Sequence, residues 1–366
     1  MSSPGGSVPL AISTPPSRLL ARACVLLAAA LLAASCSPTY VLRAGYEEAK
    51  ILGRREPIAE LVADTTTAPA TRGKLALVLQ ARAFADDSLR LKVGDSYTTF
   101  ARLESDTLAL ILSAARKDAF VAYTWWFPIV GHVPYKGFFS EKKARKEIAA
   151  LERKGYDTYL RPTAAFSTLG WFNDPLVSPL LRYDSVSLAG TVIHELFHNT
   201  LYLAGQAMFN ESLAQFVGSR GAIALYCGPA SPDPDRCARA RSLWHDELVF
   251  GDFLSSLVRD LEALYGRTDL TSEQKIARRE GIFRAAQAAF TDDVRPRLKL
   301  NTYPGFATTP LNNATLISRR LYYGRLDLFE RVHQRIGGDL LATIEAILEA
   351  VEGATDPYAA VEGLLG

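Results

Sequence analysis

The stretch "SVSLAGTVIHELFHNTLYLAGQAMFNES", residues 185–212, carries two of the chain's five histidines four positions apart, with Glu195 directly after the first. On an α-helix, positions i and i+4 share a face, so His194 and His198 can present ring nitrogens to one ion. Neutral imidazole suits zinc, and a catalytic zinc takes three protein ligands and a water. Glu195 lies beside that face, where a carboxylate can act as general base toward the attacking water. The plainer reading is a helix that carries two imidazoles by chance. With five histidines in 366 residues, His-Glu-x-x-His arises by chance in well under about one chain in a hundred, which favours the metal reading.

A third ligand should follow. The apolar periodicity predicts a helix running on to Gly205, a glycine stop. From His198 that is about two turns, or ~10 Å. A return through "QAMF" would bring "NES" back beside the histidines, with Glu211 at the start of the next apolar helix, "LAQFVGSRGAIALY". His194, His198 and Glu211 make a ligand set known from zinc hydrolases. Taken alone, Glu211 also reads as a helix N-terminal acid favoured by the dipole. Asn210 has two readings, orienting the site and its substrate or capping the helix that Glu211 opens.

Outward from this stretch, composition is that of an ordinary globular chain, 48% hydrophobic and 22% charged. A net charge of +2, with no basic run interleaved with aromatics, gives a nucleic-acid partner no electrostatic support. At the N-terminus, Arg18 and Arg22 precede "CVLLAAALLAAS", residues 24–35. That is the length of a signal-peptide core and short of the roughly 20 apolar residues a membrane span needs. Ala33, Ala34 and Ser35 before Cys36 resemble the bacterial lipoprotein box, with alanine where leucine is usual. In such signals the cysteine is lipidated and becomes the mature N-terminus. A plain secretory signal with a chance cysteine is the other reading. Loss of residues 1–35 removes Arg18 and Arg22 and no acid, which takes the net charge from +2 to zero. Charge then cannot hold the mature chain at a membrane, and an acyl anchor would have to.

The body reads as α+β, mainly helical, with a small mixed sheet and helical lobes. Residues 36–366 are expected to form a single domain: helical over 39–120, a small sheet region over 121–172, the zinc helices over 186–226, and C-terminal helices over 240–366. Pro57 can start a helix, because its missing N–H is not needed there. The aromatic, Val- and Gly-rich "AYTWWFPIVGHVPYKGFF" suits strands and turns. "SEKKARKEIAALERKG" has a helix's Ser cap and Gly stop. Residues 243–266 and 271–290 read as an antiparallel helical hairpin. Cys227 and Cys237 bracket the loop-like "GPASPDPDR". In an exported chain they favour a disulfide over zinc binding.

The segments "WFPIVGHVPYKGFFS", "FSTLGWFNDPLVS", "HELFHNTLYLAGQAMFNES" and "LNNATLISRRLYY" together resemble the bacterial predicted-aminopeptidase lipoprotein family, zinc peptidases of gluzincin type. The resemblance spans essentially the whole mature chain. It implies a gluzincin-like core, zinc at His194, His198 and Glu211, Glu195 as base, and a peptide or protein as substrate. It also implies a lipid-anchored place in the cell envelope, facing the periplasm. Trp126 and His132 stand where that family carries two cysteines, so any disulfide or metal role there is lost and His132 reads as an ordinary turn histidine.

Three further positions are candidates. "STLGWF", residues 167–172, can be a sheet-edge strand that pairs with an extended peptide, Gly170 allowing close approach beside Trp171. It can equally be a buried strand with Trp171 in the core. Tyr322, within a motif the family shares, can hydrogen-bond the oxyanion. His245 and His333 have no metal-ligand neighbour and read as structural or solvent-facing. A zinc-holding envelope lipoprotein that binds or assembles without turnover remains the rival to a peptidase.

The anchor is directly testable. Cys36→Ala is expected to abolish incorporation of labelled fatty acid and to release the protein from membranes. Native protein that never takes up the label would refute the lipid anchor.

Overall fold

The computed structural model describes residues 51–366 apart from 106, 128–130, 164–172 and 230–231. The chain divides into Met1–Glu47 and Glu48–Gly366, and every described residue lies in the second unit. Cys36, Gly170 and Trp171 fall outside the described residues.

In chain order the first part comprises β1 (Arg55–Pro57), α1 (Ile58–Ala63), α2 (Pro69–Asp87), β2 (Thr99–Ala101) and β3 (Ala109–Arg116). Next come β4 (Trp125–Phe127), β5 (Gly131–Val133), β6 (Tyr135–Phe138), α3 (Glu141–Arg153), β7 (Tyr156–Thr163) and β8 (Leu176–Val177). The helical body follows with α4 (Ser185–Phe197), α5 (Ala207–Cys227), α6 (Pro234–Tyr265) and α7 (Ser272–Ala289). The C-terminal part has α8 (Asn313–Tyr323), α9 (Leu326–Arg335), α10 (Leu340–Val351) and α11 (Pro357–Gly363). Helix outweighs strand, and the architecture is α+β.

The helical expectation for 39–120 needs correction. The helices end at Asp87, and β1, β2 and β3 lie inside that range. The eight-residue β3, "ALILSAAR", is the centre of an antiparallel sheet of order β6-β3-β7. One face of this sheet packs with α3 through Leu112, Phe138, Ala144 and Leu151, and the other meets α8 through Ala115, Ala314 and Ile317. A strand covered on both faces loses the apolar–polar alternation that marks it in sequence. Among the described residues the expected small mixed sheet is divided into three: this sheet, a mixed β1-β2-β8 and the two-stranded β4-β5.

At the centre lies α4. Asp184 starts it by accepting from the N–H groups of Val186 (3.0 Å) and Ser187 (3.2 Å). Arg239 of α6 donates to both oxygens of the same carboxylate, so the cap also ties two helices together. Val186, Leu188, Ala189, Val192, Ile193, Leu196 and Phe197 are all buried, packed between α2 and α5. Helix α5 crosses α4 at two glycines. A Cβ on Gly218 would sit 2.6 Å from the Gly190 carbonyl oxygen and 3.0 Å from the His194 Cβ. The 32-residue α6 packs along α5 and continues into the hairpin with α7. The hairpin encloses a second apolar cluster, in which Phe250 stacks on Tyr303 at 3.9 Å among Phe283, Phe290 and Phe306. A disulfide between Cys227 and Cys237 links the end of α5 to the first turn of α6.

The α6–α7 hairpin holds the sheet through a buried ion pair, Arg279 of α7 donating to both oxygens of Asp157 on β7 (2.6 and 3.0 Å). The Asn313 N–H donates to the same carboxylate, and the Asn313 amide donates to the Arg116 carbonyl (2.8 Å) while accepting from the Tyr265 hydroxyl (2.9 Å). Asn312 caps α8 and donates to the Thr158 carbonyl. The "LNNA" segment therefore fixes where α8 begins, relative to both sheet and hairpin.

Gly218→Ala is expected to cost about 1–3 kcal/mol, because the added methyl meets backbone and cannot be relieved by a side-chain rotation. Gly281→Ala, exposed on α7 with open space around its Cβ position, should instead stabilise by about 0.4–1 kcal/mol. Denaturant unfolding of both variants checks the contrast, and equal stabilities would contradict the close crossing.

Candidate metal centre

The tight crossing brings α4 and α5 together at their polar ends. His194 Nε2 lies 3.5 Å and His198 Nε2 3.9 Å from Glu211 Oε2. The imidazoles are edge-to-face with centroids 5.0 Å apart. Ligand atoms of all three residues fall within 4.8 Å of one another. Donors at 2.0–2.2 Å around a tetrahedral zinc stand about 3.4 Å apart, so the donor types and their separations fit such an ion. His194, His198 and Glu211 could hold a metal ion.

The chain between these helices departs from the expected path. Helix α4 stops at Phe197, with His198 at its C-cap still in helical backbone geometry, rather than continuing to Gly205. Beyond it, side-chain bonds hold the return loop. The Asn210 amide accepts from the Leu203 N–H (3.0 Å) and donates to the Leu203 carbonyl (2.8 Å), while the Lys92 N–H donates to the Thr200 hydroxyl. Helix α5 begins at Ala207 after Gln206, so Glu211 sits in its second turn and Asn210 caps nothing. Asn210 is buried and its side chain clamps the return loop that sets Glu211 opposite the histidines.

Burial alone would raise the Glu211 carboxyl, but the His194 hydrogen bond and the charges of both histidines and Arg161 outweigh it and hold it at about 2. Burial depresses His198 to about 4. His194 is also buried, yet its bond to Glu211 and the charges of Glu195 and Glu211 leave its pKa raised. Burial first, then the charges of Glu211 and Asp174, push Glu195 up to about 7 against the opposing pull of His194. His198 Nδ1 is buried and has no hydrogen-bond partner among the described residues.

A cavity of about 300 Å³ opens beside α4, lined by His194, Glu195, Arg161, Tyr322, Gln215 and Glu247 among others. That is the lower end of the usual size for a small-ligand site, about 300–1,000 Å³. Tyr322 in the last turn of α8 lies 6.1 Å from the His194 ring. Arg161 of β7 donates to its phenol oxygen (3.1 Å) and to Ser318 (3.3 Å) and lies over its ring. With the oxygen already accepting, the phenol's own proton remains available to donate. Burial and the Glu211 charge hold the Tyr322 pKa far above neutrality, so it stays protonated. Tyr135 of β6 donates to Glu211 Oε1 (3.4 Å).

Arg161, Tyr135 and Glu247 were not picked out from the sequence. Tyr135 and Arg161 carried no local signal, since each meets its partner only across 76 and 161 positions of sequence. Glu247 did: it interrupts the buried α6 stripe of Trp244, Phe250, Gly251 and Leu254 with a carboxylate. The remaining histidines lie away from the centre. His333 is bonded to Thr343 (2.9 Å) and His245 to the Arg297 carbonyl (3.1 Å). Trp126 and His132 are cross-strand partners in the β4–β5 hairpin.

Fold and cluster thus define an α+β protein with a buried two-histidine, one-carboxylate cluster at the edge of a cavity. The chain belongs to the family described as "Putative aminopeptidase", whose sequence model matches residues 39–356. No curated protein and no solved structure matches it.

Purified protein supplied with zinc is expected to bind one equivalent. Alanine at His194, His198 or Glu211 should weaken that binding at least tenfold by metal titration, and a Glu211→Ala protein that keeps a full equivalent would place the third donor elsewhere.

Proposed function

We propose that this protein is a zinc-dependent peptidase, an aminopeptidase, of gluzincin type, held to the bacterial cell envelope by a lipid on Cys36 and facing the periplasm. The observation that carries the catalytic reading is the convergence of His194, His198 and Glu211 on one point, with Glu195 and Tyr322 on the wall of the adjoining cavity. The family description supports peptides as substrates. The signal-like stretch before Cys36 supports export and anchoring; among the described residues no helix is long and apolar enough to cross a membrane.

Zinc, when bound, would polarise the scissile carbonyl and ease deprotonation of water. The chain's own groups do the rest. Glu195, next in sequence to a ligand and facing the cavity, takes a proton from the attacking water and passes it to the leaving amine. Its place in a buried setting beside a histidine suits a group that must both accept and return a proton near neutrality. The Tyr322 hydroxyl, oriented by Arg161, donates to the oxygen on which negative charge develops. Asn210 and Tyr135 keep Glu211 in place from the loop and from the sheet.

Glu195→Gln keeps the side chain's shape and removes its basicity. Zinc content is expected to stay at the wild-type level while peptide hydrolysis falls by about 10²–10⁴. Metal analysis and a peptide-library digest on one preparation make the test. Undiminished hydrolysis with intact zinc rules Glu195 out as the base, and no cleavage by the zinc-loaded wild type favours the non-catalytic zinc protein.

A further inference from the structure

We propose that Glu247 is the subsite for the substrate's protonated α-amino group, the feature that directs cleavage to a free N-terminus. The proposal rests on the peptidase reading above and adds to it the part of the peptide that is recognised.

Glu247 projects from α6 into the cavity that His194 and Glu195 line. Its carboxylate is held in one orientation by two neutral donors on α5, Gln215 Nε2 to Oε1 (3.0 Å) and the Ser219 hydroxyl to Oε2 (2.7 Å). Gln215 also donates to Ser219 (3.2 Å), which locks the pair. Each oxygen of a carboxylate can accept two hydrogen bonds, so this arrangement leaves acceptor capacity on both. Among the described residues no lysine or arginine forms a salt bridge with Glu247. The neighbouring Asp246 is committed elsewhere, accepting from the Lys299 and Leu300 N–H groups and the Thr302 hydroxyl. Burial pushes the Glu247 carboxyl up to about 7 even though Ser219 and Gln215 pull it down. A half-buried carboxylate oriented by neutral donors on a cavity wall is a receptor for a cation. An alkylammonium supplies three donors and the missing charge.

The spacing fits a peptide end. Glu211, Gln215 and Ser219 follow one another at intervals of four along one side of α5. From the ligand Glu211 to Gln215 the helix rises about 6 Å. An extended peptide advances about 3.3 Å per residue. One to two extended residues cover a length of that order, and an amine held at Glu247 lies on the cavity wall that His194 and Glu195 share.

The test is calorimetric binding of a short peptide and its N-acetylated form to wild type and Glu247→Gln, with hydrolysis of the same pair followed in parallel. Wild type should bind the free-amine peptide about 10- to 100-fold more tightly, the size of a charge-assisted bond. Glu247→Gln should reduce that preference to within about threefold while metal content stays the same. Equal binding of the two peptides by wild type, or a full preference kept by Glu247→Gln, overturns the subsite. If Glu247→Gln does not fold, Glu247→Asp serves, since it draws the charge back by one methylene; an undiminished preference there overturns the subsite too. Selective binding with no cleavage of either peptide keeps the subsite and refutes the peptidase. Equal cleavage of both keeps the peptidase and refutes the subsite.

Discussion

The approach of α4 to α5 sets the geometry on which the cluster depends. Two helices with ordinary side chains at their crossing stand 8–10 Å apart, depending on those side chains. Gly190 and Gly218 remove the side chains at the crossing, and the Gly218 Cα region lies against both the Gly190 carbonyl and the His194 Cβ. Glu211 stands two turns along α5 from Gly218, and His194 one turn along α4 from Gly190. With the helices in backbone contact there, a short glutamate and two imidazoles can meet at 3.5 and 3.9 Å. Spread the helices by the width of a methyl group and the carboxylate loses both rings. The elements around the crossing enforce it: the Asp184 cap with Arg239, the disulfide at the far end of α5, and the Asn210 clamp on the return loop.

A second constraint comes from the sheet. β7 carries Asp157 near its start and Arg161 near its end, and both side chains reach toward the helical body. Asp157 fastens the strand to α7 and to the start of α8, while Arg161 meets Ser318 in the middle of α8 and Tyr322 near its end. Strand and helix thus hold each other at two points, one structural and one on the cavity wall. The buried Asp157–Arg279 pair is costly to desolvate. Its extra bonds to the Asn313 N–H and the Lys117 carbonyl satisfy atoms that the pair alone would leave without partners. What the pair provides is position, and Tyr322 and Arg161 inherit it.

Legibility in the sequence followed the range of the physics. The spacing of His194, Glu195 and His198 is a single-helix property, so it could be read directly, and the return to Glu211 needed only one loop. Even there the local detail went astray, because α4 stops at Phe197 and the Asn210 side chain holds Leu203 in the loop, a contact across seven residues that apolar periodicity does not mark. The strand β3 was hidden by its own burial on both faces. Arg161 and Tyr322 meet across 161 positions of sequence, and no local pattern encodes such a contact. Glu247 lies between these cases. An acid in the apolar stripe of a long helix is visible in sequence, but its partners on α5 are not.

Three carboxylates near one cavity illustrate how environment separates identical groups. Glu211 has two imidazoles and a guanidinium nearby and is held as an anion at about 2. Glu195 has one histidine in its favour and two acids against it, and stands near 7. Glu247 has only neutral donors at bonding distance and also stands near 7. The first could help to hold a metal ion, the second is suited to exchange a proton, and the third to receive a charge that arrives with a ligand. These differences follow from what each side chain touches: rings on α4, the open wall of the cavity, and an amide and a hydroxyl on α5. A fold that brings α4, α5 and α6 together around one cavity therefore gives three chemically identical groups three separate capacities.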